Sequence, residues 1–307
     1  MTVVVFGSIN MDLTTYVPSL PRPGETLMGT SYITVPGGKG ANQAVAAARL
    51  GAPTYFVGRT GEDGFGKQAR SALEAEGVNM SEVALDAENG TGLAVISVDE
   101  AAENAIIIVS GANMALDDGD VARCVALLDQ SSVVLMQMEV PVKASLAVAR
   151  AAHELRAKVV FDPAPATLLP DDAYALFDVI TPNEVETEVL LGERPRTQEE
   201  GQAAAAALQA RGARAAVVKM GAQGAAFATA EERGFVRSFA VTPVDTVAAG
   251  DAFNGALGVA LREGQPLRDA IRWANAAGAV ATTRHGAVPS MPHRAEVMRL
   301  IRAEDGS

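Results

Sequence analysis

The chain repeatedly places a short apolar run before an alanine-rich segment with helical periodicity. The apolar runs are rich in β-branched residues and end near Gly, Pro, Asp or Asn: Val3–Phe6, Val133–Met136, Lys158–Phe161, Val179–Thr181 and Ala215–Lys219. The helical segments include Gly40–Leu50, Phe65–Glu76, Val142–Arg156 and Gln198–Gln209. Continuous apolar strands that alternate with helices are typical of a parallel sheet covered on both faces. The sequence therefore predicts an α/β fold, with a doubly wound, mostly parallel sheet flanked by helices.

Two segments interrupt this alternation, and we expect them to form a small separate sheet. In the segment 91–110, Leu93–Val98 and Ala105–Val109 flank a polar turn, a pattern that predicts a β-hairpin. A lone hairpin is marginal in water and must pack on something. We therefore predict a single domain over 1–307, with a β-sheet lid formed by about 13–36 and 91–110.

Composition and charge exclude several classes of protein. The net charge of -12 disfavours nucleic-acid binding and anionic membrane surfaces. No apolar stretch approaches the roughly 20 residues of a membrane span, and the run Val3–Phe6 is too short for a signal peptide. The single cysteine, Cys124, is interpreted as a packing residue, and three dispersed histidines argue against a zinc site. We expect a cytoplasmic protein with no nucleic-acid or membrane partner.

The most informative motif lies between Asp245 and Gly255. Three small residues (Ala248, Ala249, Gly250) precede a helical pattern that starts at about Asp251. Small side chains leave the backbone N–H groups of a helix start accessible, and those donors favour an anion. Asp251 could simply cap the helix. Alternatively, a carboxylate beside an anion hole can serve as the base in phosphoryl transfer.

Two glycine-containing segments near the amino terminus suggest a hydroxylated ligand. Pro36–Gln43 is glycine-rich but lacks the ending of a P-loop, so a plain tight turn remains open. Lys39 and Asn42 supply polar side chains there that could contact a ligand. Asn10 and Asp12 follow the first strand at alternate positions, and could grip adjacent sugar hydroxyls or form an Asx turn.

Further polar residues follow later strands. Asn183 and Glu186 are three apart at a helix start, which fits either helix capping or a magnesium–water network beside phosphates. Glu139 also follows a strand, where a solvated loop acid is the alternative.

Together these segments resemble the PfkB family of ribokinase-like sugar kinases over nearly the whole chain. The matching segments are Gly7–Asp12, Gly37–Gln43, Val57–Gly66, Gly111–Asn113, Gln137–Glu139, Asp162–Pro165, Thr181–Glu186, Asp245–Gly255 and Thr283–Pro292. The resemblance implies a ribokinase-like fold, with Asp251 as general base and an anion hole at 248–251.

The resemblance also implies the ligand contacts. The sugar-contacting positions would be Asn10, Asp12, Gly38, Lys39, Asn42, Glu139 and Asp251. The nucleotide-contacting positions would be Asn183, Lys219, Met220, Gly221, Ala222, Gln223, Gly224, Gly250 and Asn275. Glu186 would hold Mg²⁺ through water. A K⁺ ion would be held by Asp245, Val247, Ala281, Arg284, Gly286 and Ser290.

The implied activity is ATP-dependent phosphorylation of D-ribose at its 5-hydroxyl, by a homodimer formed through the lid. Deoxyribose, fructose or a nucleoside remain alternative acceptors, although an aromatic content of 5% weakly disfavours a nucleoside. A catalytically silent sugar- or nucleotide-binding protein is the alternative from another class. The presence of Asn183, Glu186, Gly250 and Asp251 argues against it.

Overall fold

The computed structural model describes residues 2–101 and 103–306. The strands of this described part are, in chain order, β1 (Val3–Phe6), β2 (Asn10–Tyr16), β3 (Ser31–Gly37), β4 (Thr54–Gly61), β5 (Val78–Asp86), β6 (Gly92–Val98), β7 (Asn104–Val109), β8 (Val133–Met136), β9 (Lys158–Phe161), β10 (Val179–Ile180), β11 (Ala215–Lys219), β12 (Gly224–Thr229) and β13 (Arg233–Arg237). The α-helices are α1 (Lys39–Arg49), α2 (Gly64–Ala75), α3 (Asp118–Ala126), α4 (Val142–Leu155), α5 (Glu184–Leu191), α6 (Gln198–Ala210), α7 (Ala249–Arg262), α8 (Leu267–Ala281) and α9 (Arg294–Asp305).

The main sheet confirms the predicted α/β class. Its strand order is β13-β12-β11-β10-β9-β8-β1-β4-β5. All neighbours from β11 to β5 pair in parallel, and β12 and β13 add antiparallel strands at one edge. The order reverses between β1 and β8, since β4 and β5 extend to one side and β9 to β11 to the other. In open parallel sheets, ligands bind beyond the carboxyl ends of the strands at such a reversal.

Alternate residues of β1 bury themselves on opposite faces of the main sheet, as the two-residue period of a strand requires. Val3 and Val5 belong to the core formed with α1, α7 and α8, whereas Val4 and Phe6 belong to the core formed with α4 and α6. Helices α1 and α7 pack closely because Gly255 presents no side chain to Ala46. This contact brings the first turn of α1 beside the first turn of α7.

A separate four-stranded sheet, called here the small sheet, has the order β3-β2-β6-β7. Strands β6 and β7 form the predicted hairpin, with Leu93 opposite Val109. Ala102, in the predicted turn, lies outside the described residues. The single-domain division and the action of the small sheet as a lid remain predictions.

Small differences from the sequence-based elements occur at their ends. The strand predicted at Val179–Thr181 ends at Ile180, although Thr181 N still donates to Phe161 O at 2.9 Å. The helical segment predicted at Gly40–Leu50 begins one residue earlier, at Lys39, and ends at Arg49. In the described ranges no helix is both long and apolar enough to cross a membrane.

Candidate active site

The polar residues identified in the sequence lie at the carboxyl ends of neighbouring strands. Asn10 begins β2 shortly after β1, and Glu139 follows β8. Asn183 follows β10, and Lys219 is the last residue of β11. Because β1 and β8 flank the reversal of strand order, these side chains border one crevice.

The glycine-rich turn before α1 lies directly against the start of β2. Gly38 has φ 91°, and a Cβ there would lie 2.9 Å from the backbone nitrogen of Asn10. Gly37 leaves room for the Asp12 carboxylate, which a Cβ would overlap. The glycines therefore allow two chain segments carrying predicted sugar contacts to approach each other.

Asn113 fixes the orientation of Asn10. Asn113 Nδ2 donates to Asn10 Oδ1 at 2.7 Å and to Ile9 O at 3.0 Å, while Asn113 Oδ1 accepts from Ile9 N at 2.9 Å. Asn113 is 1% exposed, and Gly92 leaves no room for a side chain beside the pair. The Asn10 oxygen is thus occupied, and its NH₂ group is the part available to a ligand.

Glu139 is tied to the same turn. Its Oε2 accepts from Ser8 Oγ at 2.6 Å and from Lys39 N at 2.9 Å. The alternative of a freely solvated loop acid is therefore wrong, because the carboxylate is anchored to the start of α1.

A cavity of about 120 Å³ lies between this turn and the small sheet. Its lining residues are Asn10, Ile108, Ser110, Asn113, Met114, Met138, Glu139 and Pro165. The polar groups of Asn10 and Glu139 thus share the cavity with the apolar side chain of Ile108 on β7, a combination suited to a small hydroxylated molecule. A larger cavity of about 520 Å³ near Asp117 and Lys143 contains none of the predicted site residues.

The start of α7 presents free backbone donors. Among the described residues, no hydrogen-bond partner is found for the N–H groups of Gly250 and Asp251. Ala248 precedes them with φ 58°, a left-handed conformation that is strained for a residue with a side chain. Lys219 Nζ lies 3.6 Å from the position that a Cβ on Gly250 would take. Donors, helix dipole and ammonium group together favour an anion here.

The Asp251 carboxylate does not cap its own helix, so the capping interpretation is wrong. Its Oδ2 accepts from Asn42 Nδ2 at 2.9 Å, and its Oδ1 accepts from Gln43 Nε2 at 3.1 Å. Asp251 is 5% exposed. Burial, reinforced by the charge of Asp162, raises the pKa of Asp251 to about 6, although Lys39 and the two amides oppose the rise. A base with that pKa is ionised at neutral pH and close to the optimum for proton transfer.

Two lysines balance the carboxylates of the site. Lys219 Nζ donates to Asp162 Oδ1 at 2.9 Å. Burial acts to lower the pKa of Lys39, but the surrounding carboxylates, Asp251 foremost, raise it above its ordinary value. Burial also raises the pKa of Asp12 to about 6, with contributions from Glu139 and Asp251. Asp12, Lys39 and Asp251 therefore share one electrostatic environment.

Asn183 and Glu186 form a capping box at the start of α5. Asn183 Oδ1 accepts from Glu186 N at 2.9 Å, and Glu186 Oε2 accepts from Asn183 N at 2.6 Å. The capping interpretation is thus confirmed. Glu186 is 8% exposed, and burial raises its pKa while Lys219 opposes the rise. The role of Glu186 toward magnesium stays a prediction.

The predicted nucleotide segment leads from β11 into β12. Lys219 pairs with Asn183 as an isolated bridge, which places this strand end beside α5. A single 3₁₀ turn, Gly221–Gln223, then carries the chain to Gly224 at φ 124°. Asn275 Nδ2 donates to Val236 O at 3.0 Å, so this amide supports the end of β13. Its approach to adenine stays a prediction.

The predicted potassium segments lie side by side. Asp245 Oδ1 accepts from Val247 N at 3.0 Å, and Asp245 Oδ2 accepts from Gly286 N at 2.9 Å. Arg284 N donates to Ala281 O at 3.2 Å, and Ser290 is buried with its hydroxyl on Ala287 O. Across residues 2–101 and 103–306, no cluster of three or more His, Cys, Asp or Glu could hold a metal ion. A potassium ion at these residues stays a prediction.

The structure adds residues that received no role in the sequence analysis. Gln43 donates hydrogen bonds to both Asp251 and Asp162. Ser8 orients Glu139, and Asn113 orients Asn10. Asp162 carried a usable signal, since it directly follows the strand Lys158–Phe161. The other three could be found only by knowing which loops meet.

Comparisons with known proteins show the family to which the chain belongs. The pfkB family carbohydrate kinase model matches residues 1–294, so the chain belongs to that family. It is 39% identical to the ribokinase of Haemophilus influenzae, over 98% of this chain and 98% of that protein. It is 36% identical to the Bacillus subtilis ribokinase, over 97% of this chain and 99% of that protein. The solved structure of Arabidopsis thaliana ribokinase complexed with ribose and ATP matches with a TM-score of 0.91, at 36% identity over 98% of each chain.

Proposed function

We propose that this chain transfers the γ-phosphate of ATP to the 5-hydroxyl of D-ribose, giving D-ribose 5-phosphate and ADP. The observation that carries the proposal is the position of Asp251. This buried carboxylate lies in the first turn of α7, whose N–H groups at Gly250 and Asp251 have no partner within the described chain. A base and an anion site thus occur within one helical turn.

The sugar would lie in the cavity below the small sheet. The NH₂ group of Asn10 and the second oxygen of Glu139 offer a donor and an acceptor to its hydroxyls. Asp12, Lys39 and Asn42 complete the predicted contacts around Gly38. Ile108 would cover the apolar side of the sugar ring.

Chemistry would begin when a substrate hydroxyl approaches Asp251. Asp251 accepts the proton, the hydroxyl oxygen forms a bond to the γ-phosphorus, and the bond from that phosphorus to the bridging β,γ-oxygen breaks as ADP leaves. Within the predicted anion hole at 248–251, Ala249 N donates to Thr246 O at 3.3 Å, so the N–H groups of Gly250 and Asp251 would stabilise the charge that develops on the transferred phosphoryl group. Lys219, beside Gly250, would add a positive charge to the same place.

ATP would lie along Lys219–Gly224, with Asn183 and Asn275 at its phosphate and adenine ends. Bound Mg²⁺ would neutralise phosphate charge, and Glu186 is the residue that would hold its water shell. A K⁺ ion would take the Asp245 carboxylate, with Val247, Ala281, Arg284, Gly286 and Ser290 around it.

We further propose a homodimer through the small sheet, acting as a lid. Every residue of the edge strand β7 is exposed, including four large apolar residues in a row from Ile106 to Val109, each more than half exposed. An exposed apolar edge strand is a ready site for pairing with a second chain. A reducing cytoplasm, expected from the lone buried Cys124, remains the predicted location.

The test is an acceptor panel with magnesium-ATP, in which ADP release is measured with and without potassium. The acceptors are D-ribose, 2-deoxyribose, fructose, adenosine and 5-deoxyribose, which lacks the reacting hydroxyl. The proposal predicts the highest kcat/KM with D-ribose and no stimulation by 5-deoxyribose. A clear preference for another acceptor would contradict the ribose assignment. Binding of ribose and ATP without turnover would identify a silent binding protein.

A further inference from the structure

Gln43 touches both buried aspartates of the site. Its Nε2 donates to Asp251 Oδ1 at 3.1 Å and to Asp162 Oδ2 at 3.0 Å. The residue is 1% exposed, so water cannot readily replace either bond. A side-chain amide has two N–H hydrogens, and each is used here on a different carboxylate.

A second buried glutamine fixes the orientation of this amide. Gln137 Nε2 donates to Gln43 Oε1 at 2.6 Å. Because an amide oxygen only accepts, this bond makes the NH₂ group of Gln43 face the two carboxylates. Gln137 is fully buried and packs against Gly7, which leaves no room for a side chain beside it.

The other carboxylate oxygens are held by separate donors. Asn42 Nδ2 donates to Asp251 Oδ2, and Lys219 Nζ donates to Asp162 Oδ1. Two buried like charges repel each other, and a shared donor stabilises both ionised forms. Among the described residues, Gln43 is the one side chain that donates hydrogen bonds to both aspartates.

We propose that Gln43 is a positioning residue, which holds the Asp251 carboxylate ionised and oriented to receive the substrate proton. The catalytic consequence rests on the proposed function, whereas the effect on Asp251 itself does not. Gln43 would thereby couple the general base to the Asp162–Lys219 pair at the phosphate side of the site.

The charged groups that face Asp251 come from several elements, and a substitution at Gln43 leaves them in place. Asp12 of β2, Lys39 of α1 and Asp162 after β9 act on Asp251 directly. Glu139 after β8, Glu186 of α5 and Lys219 of β11 act on these neighbours or on one another. Gln43→Met removes the hydrogen bonds to both aspartates and the bond from Gln137, without changing charge. Gln43→Glu keeps the shape, removes the donors and adds a negative charge.

The experiment measures the ionisation of Asp251 in two ways. One is the acid limb of the pH profile of kcat, with whichever acceptor the panel identifies. The other is a ¹³C NMR titration of the aspartate carboxyl carbons, in which Asp251→Asn assigns the Asp251 signal. The titration needs no turnover, so failure of the proposed function would be visible separately. Gln130→Glu, in an exposed turn, makes the same charge change away from the site.

We expect the titration midpoint of Asp251 to rise by about one pH unit in Gln43→Met, because the ionised carboxylate loses a hydrogen bond. The rise should be larger in Gln43→Glu, and Gln130→Glu should match wild type. If both folded Gln43 variants titrate within about 0.3 pH unit of wild type, by NMR and by kinetics, the inference is wrong. If Gln43→Glu fails to fold, the titration of Asp251 in Gln43→Met alone tests the inference.

Discussion

Lys219 and Asp162 form a nearly buried ion pair, with Nζ 2.9 Å from Oδ1 and side-chain exposures of 12% and 3%. The pair lies beside Gly250 and therefore beside the proposed anion hole. A buried charge that loses its partner is strongly destabilising, because it keeps the cost of desolvation without the compensating attraction. The pair thus links the stability of the fold to the proposed binding of phosphate.

Lys219→Met should lower the free energy of unfolding by about 3–5 kcal/mol, because it leaves Asp162 buried beside Asp251. It should also raise KM for ATP more than KM for the sugar. Urea denaturation and steady-state kinetics check the two effects. The double variant Asp162→Asn/Lys219→Met should recover part of the stability but none of the ATP affinity. Full recovery of both would show that Lys219 serves the fold alone.

Asp251→Asn should make the protein more stable at neutral pH. The pKa of Asp251, about 6, lies above its unfolded value of 3.8, so the folded state binds more protons between these values. The contribution of Asp251 to wild-type stability therefore falls as pH rises from 4 to 7, whereas the amide does not titrate. The difference in unfolding free energy should change by up to about 3 kcal/mol in favour of the variant. A pH-independent difference between the two proteins would contradict the raised pKa.

The sequence predicted the elements better than the contacts between them. Strands such as Val133–Met136 and Lys158–Phe161 match to the residue, because each is a continuous buried run. Asp251 was identifiable because three small residues precede it. The hydrogen bonds that Asn42 and Gln43 donate to Asp251 were not, since both residues are more than 200 positions away and meet it only through the close packing of α1 on α7.

Asn113→Ala should raise KM for the sugar by about tenfold and leave KM for ATP nearly unchanged. The substitution removes the hydrogen bond that orients the Asn10 amide. It also removes two hydrogen bonds from the buried backbone of Ile9. Kinetics over varied sugar and varied ATP separate the two constants. Asn79→Ala, at an exposed position of β5, is the control. Equal effects on both KM values would indicate a general loss of structure instead.

Arg59 should contribute to stability away from the active site. Its guanidinium contacts Asp120, Asp117 and Asp86, and Asp120 is fully buried. Arg59→Met should cost about 1.5–3 kcal/mol at pH 7, because the buried Asp120 loses one arginine partner and keeps Arg123. Arg150→Met, which breaks an exposed pair with Asp172, should cost less than about 1 kcal/mol.

The same cluster predicts sensitivity to acid. Arg59 lowers the pKa of Asp117, while Asn89 and then Arg59 lower the pKa of Asp86. Because these folded-state pKa values lie below the unfolded value of 3.8, their contribution is present above pH 4 and lost as pH falls below it. Between pH 5 and pH 2.5, wild type should lose more stability than Arg59→Met. Parallel losses would contradict this assignment.

The most direct test compares ribose-dependent ADP release by wild type and Asp251→Asn, at pH 7.5 with magnesium and potassium. Calorimetry on both proteins measures the affinities for ribose and for a non-hydrolysable ATP analogue. Asp251 as general base predicts that kcat falls by about 10² or more while both ligands still bind. A variant that keeps more than a third of wild-type kcat would contradict the assignment of Asp251, and with it the mechanism proposed for this site.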